Sequence, residues 1–266
     1  MAPSLQFDRW AGGARRCVTF SYDDSRTFDR RLVEIFNRTG CRASFHLNSA
    51  NFGKDGYVEI GEIAQLYAGH EISAHTHTHP FLNEMPSSRA VWEIMENRRV
   101  LESACGYPVR SMSWPYGQAG DTAVAAAMSC GIEYSRGVAE RRNFEPPADF
   151  MRWEPTCHHN AAPELVEAFL ARDYPKKQQL LYIWGHSYEF PRDDNWDLIE
   201  NVCERLGGRS DTWYATGIEI KDYLTAQRAL CVSVDGSMVH NPSGVDVWIS
   251  ADVEAVCIPS GKTVTL

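Results

Sequence analysis

A chain of 266 residues, 44% of them apolar and 23% charged, can bury one full core, which excludes a disordered or fibrous polymer. A formal net charge of −9 argues against nucleic acid as a partner and suits a neutral or cationic ligand better. No apolar segment follows Met1-Ala2-Pro3-Ser4, which predicts neither a signal peptide nor a membrane anchor; the expectation is a cytoplasmic protein, or an extracellular one whose leader has been lost.

Arg16 to Tyr22 reads as a buried first strand that opens onto Asp23-Asp24. Phe28 to Arg38 places Phe28, Leu32, Ile35 and Phe36 at helical spacing, with Gly40 as C-cap. Ala43 to Asn48 follows as a strand, with His46 and Asn48 on one face. Val58 to Ala68 predicts a helix closed by Gly69, and Glu71 to Ala74 a third strand. Ser87 to Cys105 is a long amphipathic helix whose polar side chains Glu93, Glu96, Asn97, Arg98 and Arg99 are expected in solvent. Next come a strand at Val109 to Trp114, an Ala-rich helix at Asp121 to Cys130 and a strand at Ile132 to Val138.

Pro146, Pro147 and Pro155 forbid a helix between Glu140 and Asn160, so that segment is expected to be irregular. Ala162 to Arg172 is a helix with Pro163 at its start, and Leu180 to Trp184 a central strand. A helix (Trp196 to Leu206), a short strand (Trp213 to Thr216) and a last helix (Glu219 to Leu230) complete the alternation. About seven strands separated by helices predict an α/β fold whose parallel sheet closes into a barrel. From Cys231 the character changes. Val232 to Met238, Val245 to Ile249 and Ala255 to Ile258 read as short strands, so residues 1–230 are expected to form the barrel and 231–266 a small β extension packed on it. The eight cysteines stand singly in apolar contexts and are expected as reduced core residues.

Two stretches carry chemistry. Gly69 to Pro80 holds four of the nine histidines, and Asp23-Asp24 sets two carboxylates at a strand end. Two imidazoles and one carboxylate make a ligand set typical of catalytic zinc, which keeps a further position for water; the second carboxylate is then free to act as a base. Residues four apart on a strand lie about 13 Å apart, far too distant to share an ion whose bonds are about 2.0–2.1 Å. If His75 and His79 are co-ligands, the chain must curl between them, and His77 is left outside the set. His46 is a weaker candidate on the site face, and His158-His159 weaker still.

Tyr22-Asp23-Asp24, His75-x-x-x-His79, Trp114-Pro115-Tyr116-Gly117 and Trp184-Gly185-His186 resemble, in order, the motifs of the polysaccharide deacetylases, the family-four carbohydrate esterases related to nodulation chitooligosaccharide deacetylases. The resemblance covers roughly residues 15 to 225. It implies a distorted (β/α) barrel and a divalent metal, zinc first, with cobalt, nickel or iron as alternatives. It implies Asp24, His75 and His79 as ligands, Asp23 as general base, His186 as general acid, and the backbone N–H of Tyr116 as an oxyanion donor. The implied substrate is an N-acetylated or O-acetylated sugar, with Trp114, Tyr116, Trp153, Trp184, Tyr188 and Trp196 as aromatic candidates for the rim.

Two positions depart from the pattern. The family's arginine of the third motif is absent from Ser113-Trp114-Pro115-Tyr116, and Arg152 stands where the family carries the aspartate that tunes the acid histidine. Arg152, or failing that Arg136, is therefore expected to supply the cation beside Asp23. A non-sugar amidase and an inactive carbohydrate-binding protein are the alternative readings on the same scaffold.

Overall fold

The computed structural model describes residues 3–173 and 177–266. In chain order the elements are β1 (Leu5–Gln6), β2 (Arg16–Asp23), α1 (Asp29–Thr39), β3 (Ala43–Leu47), α2 (Ile63–Leu66), β4 (Glu71–Ala74), α3 (Ser87–Cys105), β5 (Ser111–Ser113), α4 (Asp121–Ser129), β6 (Tyr134–Arg136) and β7 (Cys157–His158). They continue with α5 (Ala162–Ala171), β8 (Gln179–His186), α6 (Glu189–Arg192), α7 (Trp196–Leu206), β9 (Thr212–Tyr214), α8 (Gly217–Arg228), β10 (Cys231–Val232), β11 (Met238–His240), β12 (Val247–Ala251), β13 (Glu254–Ile258) and β14 (Thr263–Thr265).

Seven parallel strands follow one another around a curled sheet in the order β6-β5-β4-β3-β2-β8-β7, and β9 pairs with the first residues of β2. The α/β barrel expected from the alternation is thus present, with one change of membership. β7 lies inside the segment expected to be irregular, because two residues flanked by Pro155 and a histidine-led turn leave no periodic signal. The chain around it also spans the gap between the sheet edges. Trp153 N–H donates to the Ser135 carbonyl (3.1 Å) and Gly137 N–H to the Trp153 carbonyl (3.1 Å), while Thr156 N–H donates to the Tyr182 carbonyl (2.8 Å). Closure through irregular backbone is what distorts the barrel.

Alternation along the strands sorts two environments. Phe20, Tyr22, Ala43, Phe45, Leu47, Ile72, Ala74, Met112, Trp114, Leu181 and Ile183 join the apolar layer under the helices. The opposite faces carry Ser21, Asp23, Ser44, His46, Glu71, Ser73, Ser111, Ser113, Tyr134 and Arg136, all buried, so the barrel interior is polar. Its lower end is plugged by Trp10, Trp153, Tyr182 and Tyr223.

The remaining differences from the expected elements have local causes. The helix expected over Val58 to Ala68 shrinks to a single turn plus the one-turn α2, because a Glu59–Glu62 capping box starts it late and Gly61 lies within it. Val232 to Met238 is not one strand but a hairpin, β10 and β11, folded around Asp235, whose Oδ1 accepts from Ser233 Oγ, Ser237 Oγ and Ser237 N–H. The C-terminal residues form two three-stranded sheets, one of which takes in β1 from the other end of the chain. Among the described residues no helix is long and apolar enough to cross a membrane.

Candidate metal centre and active site

β2, β4, β5, β6 and β8 deliver the candidate side chains to one end of the barrel. β2 pairs in parallel with β8 so that Asp23 lies beside His186, and with β3 so that Asp23 lies beside His46. Beyond β2 the backbone turns sharply at Asp24 (φ 82°) and Ser25 (φ 56°). Beyond β4 it curls at Thr76 (φ 65°) and His79 (φ 60°), and beyond β5 at Tyr116 (φ 57°). Five of the eight non-glycine residues with positive φ among those described sit at this one site. Such conformations are costly for side-chain-bearing residues and cluster where function requires them.

The curl at 75–79 is the bend demanded by the histidine spacing, and buried polar groups hold it. Asn48 Nδ2 donates to the carbonyls of His75 and Thr76. Asn97 Oδ1 accepts from His75 N–H (2.9 Å), and Glu93 accepts from Thr78 N–H (2.8 Å) and Thr78 Oγ1 (2.9 Å). Glu93 and Asn97 are therefore not solvated, as the sequence suggests, but buried beneath the loop. Amphipathic spacing cannot tell a polar face in water from one that serves a polar loop. His77 turns away, with Nδ1 2.8 Å from Ser49 Oγ and its ring edge-on to Trp92.

Asp24, His75 and His79 bring one ligand atom each to within 4.8 Å of one another. Asp24 Oδ1 lies 3.7 Å from His75 Nε2 and 3.9 Å from His79 Nε2. Donors bound tetrahedrally at about 2.1 Å stand about 3.4 Å apart, so these residues fit a divalent cation after a small contraction. His75 Nδ1 lies 2.9 Å from the Ser113 carbonyl, which can only accept, so Nδ1 holds the proton and Nε2 keeps its lone pair for the site. Burial also pushes the His75 pKa down, against the pull of Asp23, which favours the neutral ligand form.

Asp23 is buried, and both its oxygens pair with Arg136 Nη2. Ser113 Oγ donates to Oδ1 (3.1 Å). Burial alone would raise its pKa; Arg136, then His75 and His46, outweigh that and hold the carboxyl far below the usual carboxylate range. Arg136 is itself fully buried, donates Nε–H to Ser21 Oγ (3.1 Å) and lies over the Trp184 ring (4.6 Å). Arg152, the first choice on sequence, does not reach Asp23. It follows the outer turn at 150–152, donates to the Ala119 carbonyl, and pairs with Asp121 and Asp149 at the surface. His46 has no hydrogen-bond partner among the described residues, and burial pushes it down to about 3, leaving it a neutral wall beside Asp23.

His186 Nε2 faces Asp24 Oδ2 (3.9 Å), and its Nδ1 lies 3.4 Å from Glu189 Oε2. Burial disfavours its charge, but Glu189, Asp23 and Asp24 outweigh burial and raise its pKa above the ordinary imidazole value. The preceding Gly185 is required by space: a Cβ there would stand 2.0 Å from the His159 ring.

A cavity of about 540 Å³ opens over this group, lined by Asp23, Asp24, His75, His79, Trp114, Tyr116, Val138, Trp184, His186 and Tyr188. Tyr116 is half exposed and stacks on Phe81, with ring centroids 3.7 Å apart. Trp114 and Trp153 are buried, with Trp114 Nε1 donating to the Met151 carbonyl, and Trp196 packs on Phe190, so the exposed rim is narrower than the sequence suggests. Sequence reasoning missed Glu93, Asn97, Ser113 and Glu189. Only Glu189 left a signal, since His186 and Glu189 are three apart in a segment able to turn.

The site is thus a two-histidine, one-aspartate group and a separately paired aspartate at the strand ends of a curled parallel barrel. Residues 11–135, a stretch that holds the first three motifs, match the family model described as "Polysaccharide deacetylase". It is similar to a chitin deacetylase of Colletotrichum lindemuthianum, 29% identical over 105 residues; the match covers 37% of this chain and 41% of that relative, about two fifths of its length. The fold is similar to the structure of the chitin deacetylase from the same fungus (TM-score 0.54, 18% identity, covering 82% of this chain and 90% of that one). It is similar too to the Xyl-CE4 domain of a multidomain xylanase from the hindgut metagenome of Trinervitermes trinervoides (TM-score 0.56, 16% identity, 79% and 92% covered).

Proposed function

We propose that this chain is a metal-dependent hydrolase that removes acetyl groups from N-acetylated or O-acetylated sugars. The observation that supports it most is the convergence, around one cavity, of a metal-fitting triad, a base candidate paired to a buried arginine, and an acid candidate backed by a carboxylate. On this reading Asp24, His75 and His79 hold a divalent metal, zinc being favoured by the nitrogen-rich donor set. When bound, such an ion supplies Lewis-acid polarisation and an activated water near neutral pH. Asp23, kept ionised by Arg136, takes the proton from the attacking water. The backbone N–H of Tyr116 faces the developing oxyanion, and His186 Nε2 gives a proton to the leaving nitrogen or oxygen. Tyr116, Phe81 and the exposed part of Trp184 offer ring faces to the C–H face of a sugar. Residues 1–230 form the catalytic unit, with the extension from 231 outside the chemistry.

The test is acetate release from N-acetylglucosamine oligomers, acetylated xylan and a non-sugar acetamide, before and after chelation and with zinc restored. Metal-dependent release from a sugar substrate is expected. Release from the acetamide alone, or from nothing in the zinc-loaded protein, overturns the reading.

A further inference from the structure

Glu189 has no counterpart in the motifs that carry the resemblance, yet three imidazoles and a backbone N–H surround one of its oxygens. Its side chain is 12% exposed. One oxygen, Oε2, lies 2.9 Å from His158 Nε2, 3.4 Å from His186 Nδ1 and 3.6 Å from His159 Nε2. The same oxygen accepts the His186 backbone N–H at 3.1 Å. Burial would raise the Glu189 pKa, but the hydrogen bond from His158 and the His186 imidazole 3.4 Å away outweigh it and hold the carboxyl below its ordinary range. Glu189 is thus a fixed negative charge behind the ring whose other nitrogen faces Asp24.

Three imidazoles around one carboxylate also have the composition of a metal site, and their geometry decides between the two uses. His158 Nδ1 accepts from Asn160 N–H, as cap of the turn at His159–Ala161. A nitrogen that accepts carries no proton, so the proton of neutral His158 lies on Nε2 and points at Glu189. A metal ligand at Nε2 would need the opposite tautomer and would forfeit the cap. His158 and the His186 backbone N–H thus donate to Glu189, while the rings of His159 and His186 stand against it at 3.6 and 3.4 Å.

We propose that Glu189 is the positioning residue for His186. It fixes the His186 proton on Nδ1, so that Nε2, facing the cavity, is the nitrogen that takes and gives a proton, and His158 holds Glu189 in place from behind. This rests on the role proposed for His186 above. The need for such a group follows from the sequence: where the resemblance would put a carboxylate, this chain has Arg152, which is at the surface. The replacement comes from the first turn of α6, three residues past His186, instead of from a distant segment.

The experiment combines histidine-selective ¹⁵N spectra at about pH 9, where imidazoles are neutral, with kinetics. His186 is assigned by the signal lost in His186→Asn. The wild-type protein is expected to show His186 protonated on Nδ1, Glu189→Asp to keep that form, and Glu189→Gln to lose it. Glu189→Gln should lower kcat about 10–100-fold with KM and bound zinc unchanged, and Glu189→Asp should recover part of the loss. His158→Asn should give the same direction with a smaller change. A bare Nδ1 on His186 in the wild type overturns the proposal, and this reading needs no activity. So do an unaltered tautomer and kcat in Glu189→Gln, or a loss of zinc in that variant equal to that in Asp24→Asn, which would make Glu189 a metal ligand. Wild-type protein that releases no acetate overturns the proposed function instead, while the spectra still decide the place of Glu189.

Discussion

The two ends of β4 show opposite ways to bury charge. At its start, Glu71 is saturated: Ser44 Oγ (2.6 Å), Tyr134 Oη (3.0 Å), the Ile218 N–H (3.0 Å) and Ser111 Oγ all donate to it. The Ile218 N–H belongs to the first turn of α8, an end of a helix that favours an anion. Gly217 is needed there, because a Cβ would stand 2.2 Å from the Tyr134 hydroxyl. Past the other end of β4, Asp24 has imidazole nitrogens of His75, His79 and His186 at 3.7–3.9 Å, too far for hydrogen bonds and near the spacing of ligands around an ion. Saturation makes a plug; lone pairs held apart by strained backbone make a site. Asp23 stands between the two, paired to Arg136 yet open to the cavity.

If that division is right, the largest effect belongs to Asp23. Asp23→Asn should keep bound zinc and lose about 10²–10⁴-fold in kcat, whereas Asp24→Asn should lose the metal itself, as read by metal analysis after gel filtration. Equal metal loss in both would erase the distinction between base and ligand.

Arg136→Met tests the intermediate case. It leaves Asp23 buried without its cation, and unfolding in urea should show a loss of about 3–5 kcal/mol. A change below about 1 kcal/mol would mean that Asp23 is compensated by other groups.

Asp29 gives a pH test at the site end of the barrel. Its oxygens accept from Tyr67 Oη (2.6 Å) and Ser187 Oγ, but burial, with Asp24 and Asp23 nearby, raises its pKa from 3.8 to about 7. The folded protein therefore holds this proton more tightly than the unfolded chain. The stability it confers is present below about pH 4 and is lost as pH rises through about 7, by at most about 4 kcal/mol. Asp29→Asn should flatten that part of the curve of stability against pH; an unchanged slope between pH 4 and 7 would contradict the shift.

The smallest effect is expected at the plug. Glu71→Gln keeps three of the four donors satisfied and turns an amide toward Ser111, so it should cost about 1–2 kcal/mol and leave kcat unchanged. A large loss of activity there would show that the two ends are coupled.

Much of this was determined by sequence alone. The alternation of apolar faces predicts the parallel α/β barrel, and α3 and α7 fall where periodicity puts them. The Asp-Asp and four-residue histidine spacings single out the group that converges, and the bend between His75 and His79 follows from bond lengths alone. These are local or short-range facts. What the tertiary structure decided is which distant charges meet. The sequence ranks Arg152 ahead of Arg136, and only the inward face of β6 makes Arg136 the partner of Asp23, while the outer turn sends Arg152 to solvent. Glu93 and Asn97 share a helix face with solvated residues until the histidine loop covers them. β7 and the closure at 150–156 are held by neighbouring backbone and leave no pattern in their own side chains. Ladder partners, inward faces and buried counter-charges depend on which strands are adjacent, and adjacency is set by the packing of the whole chain.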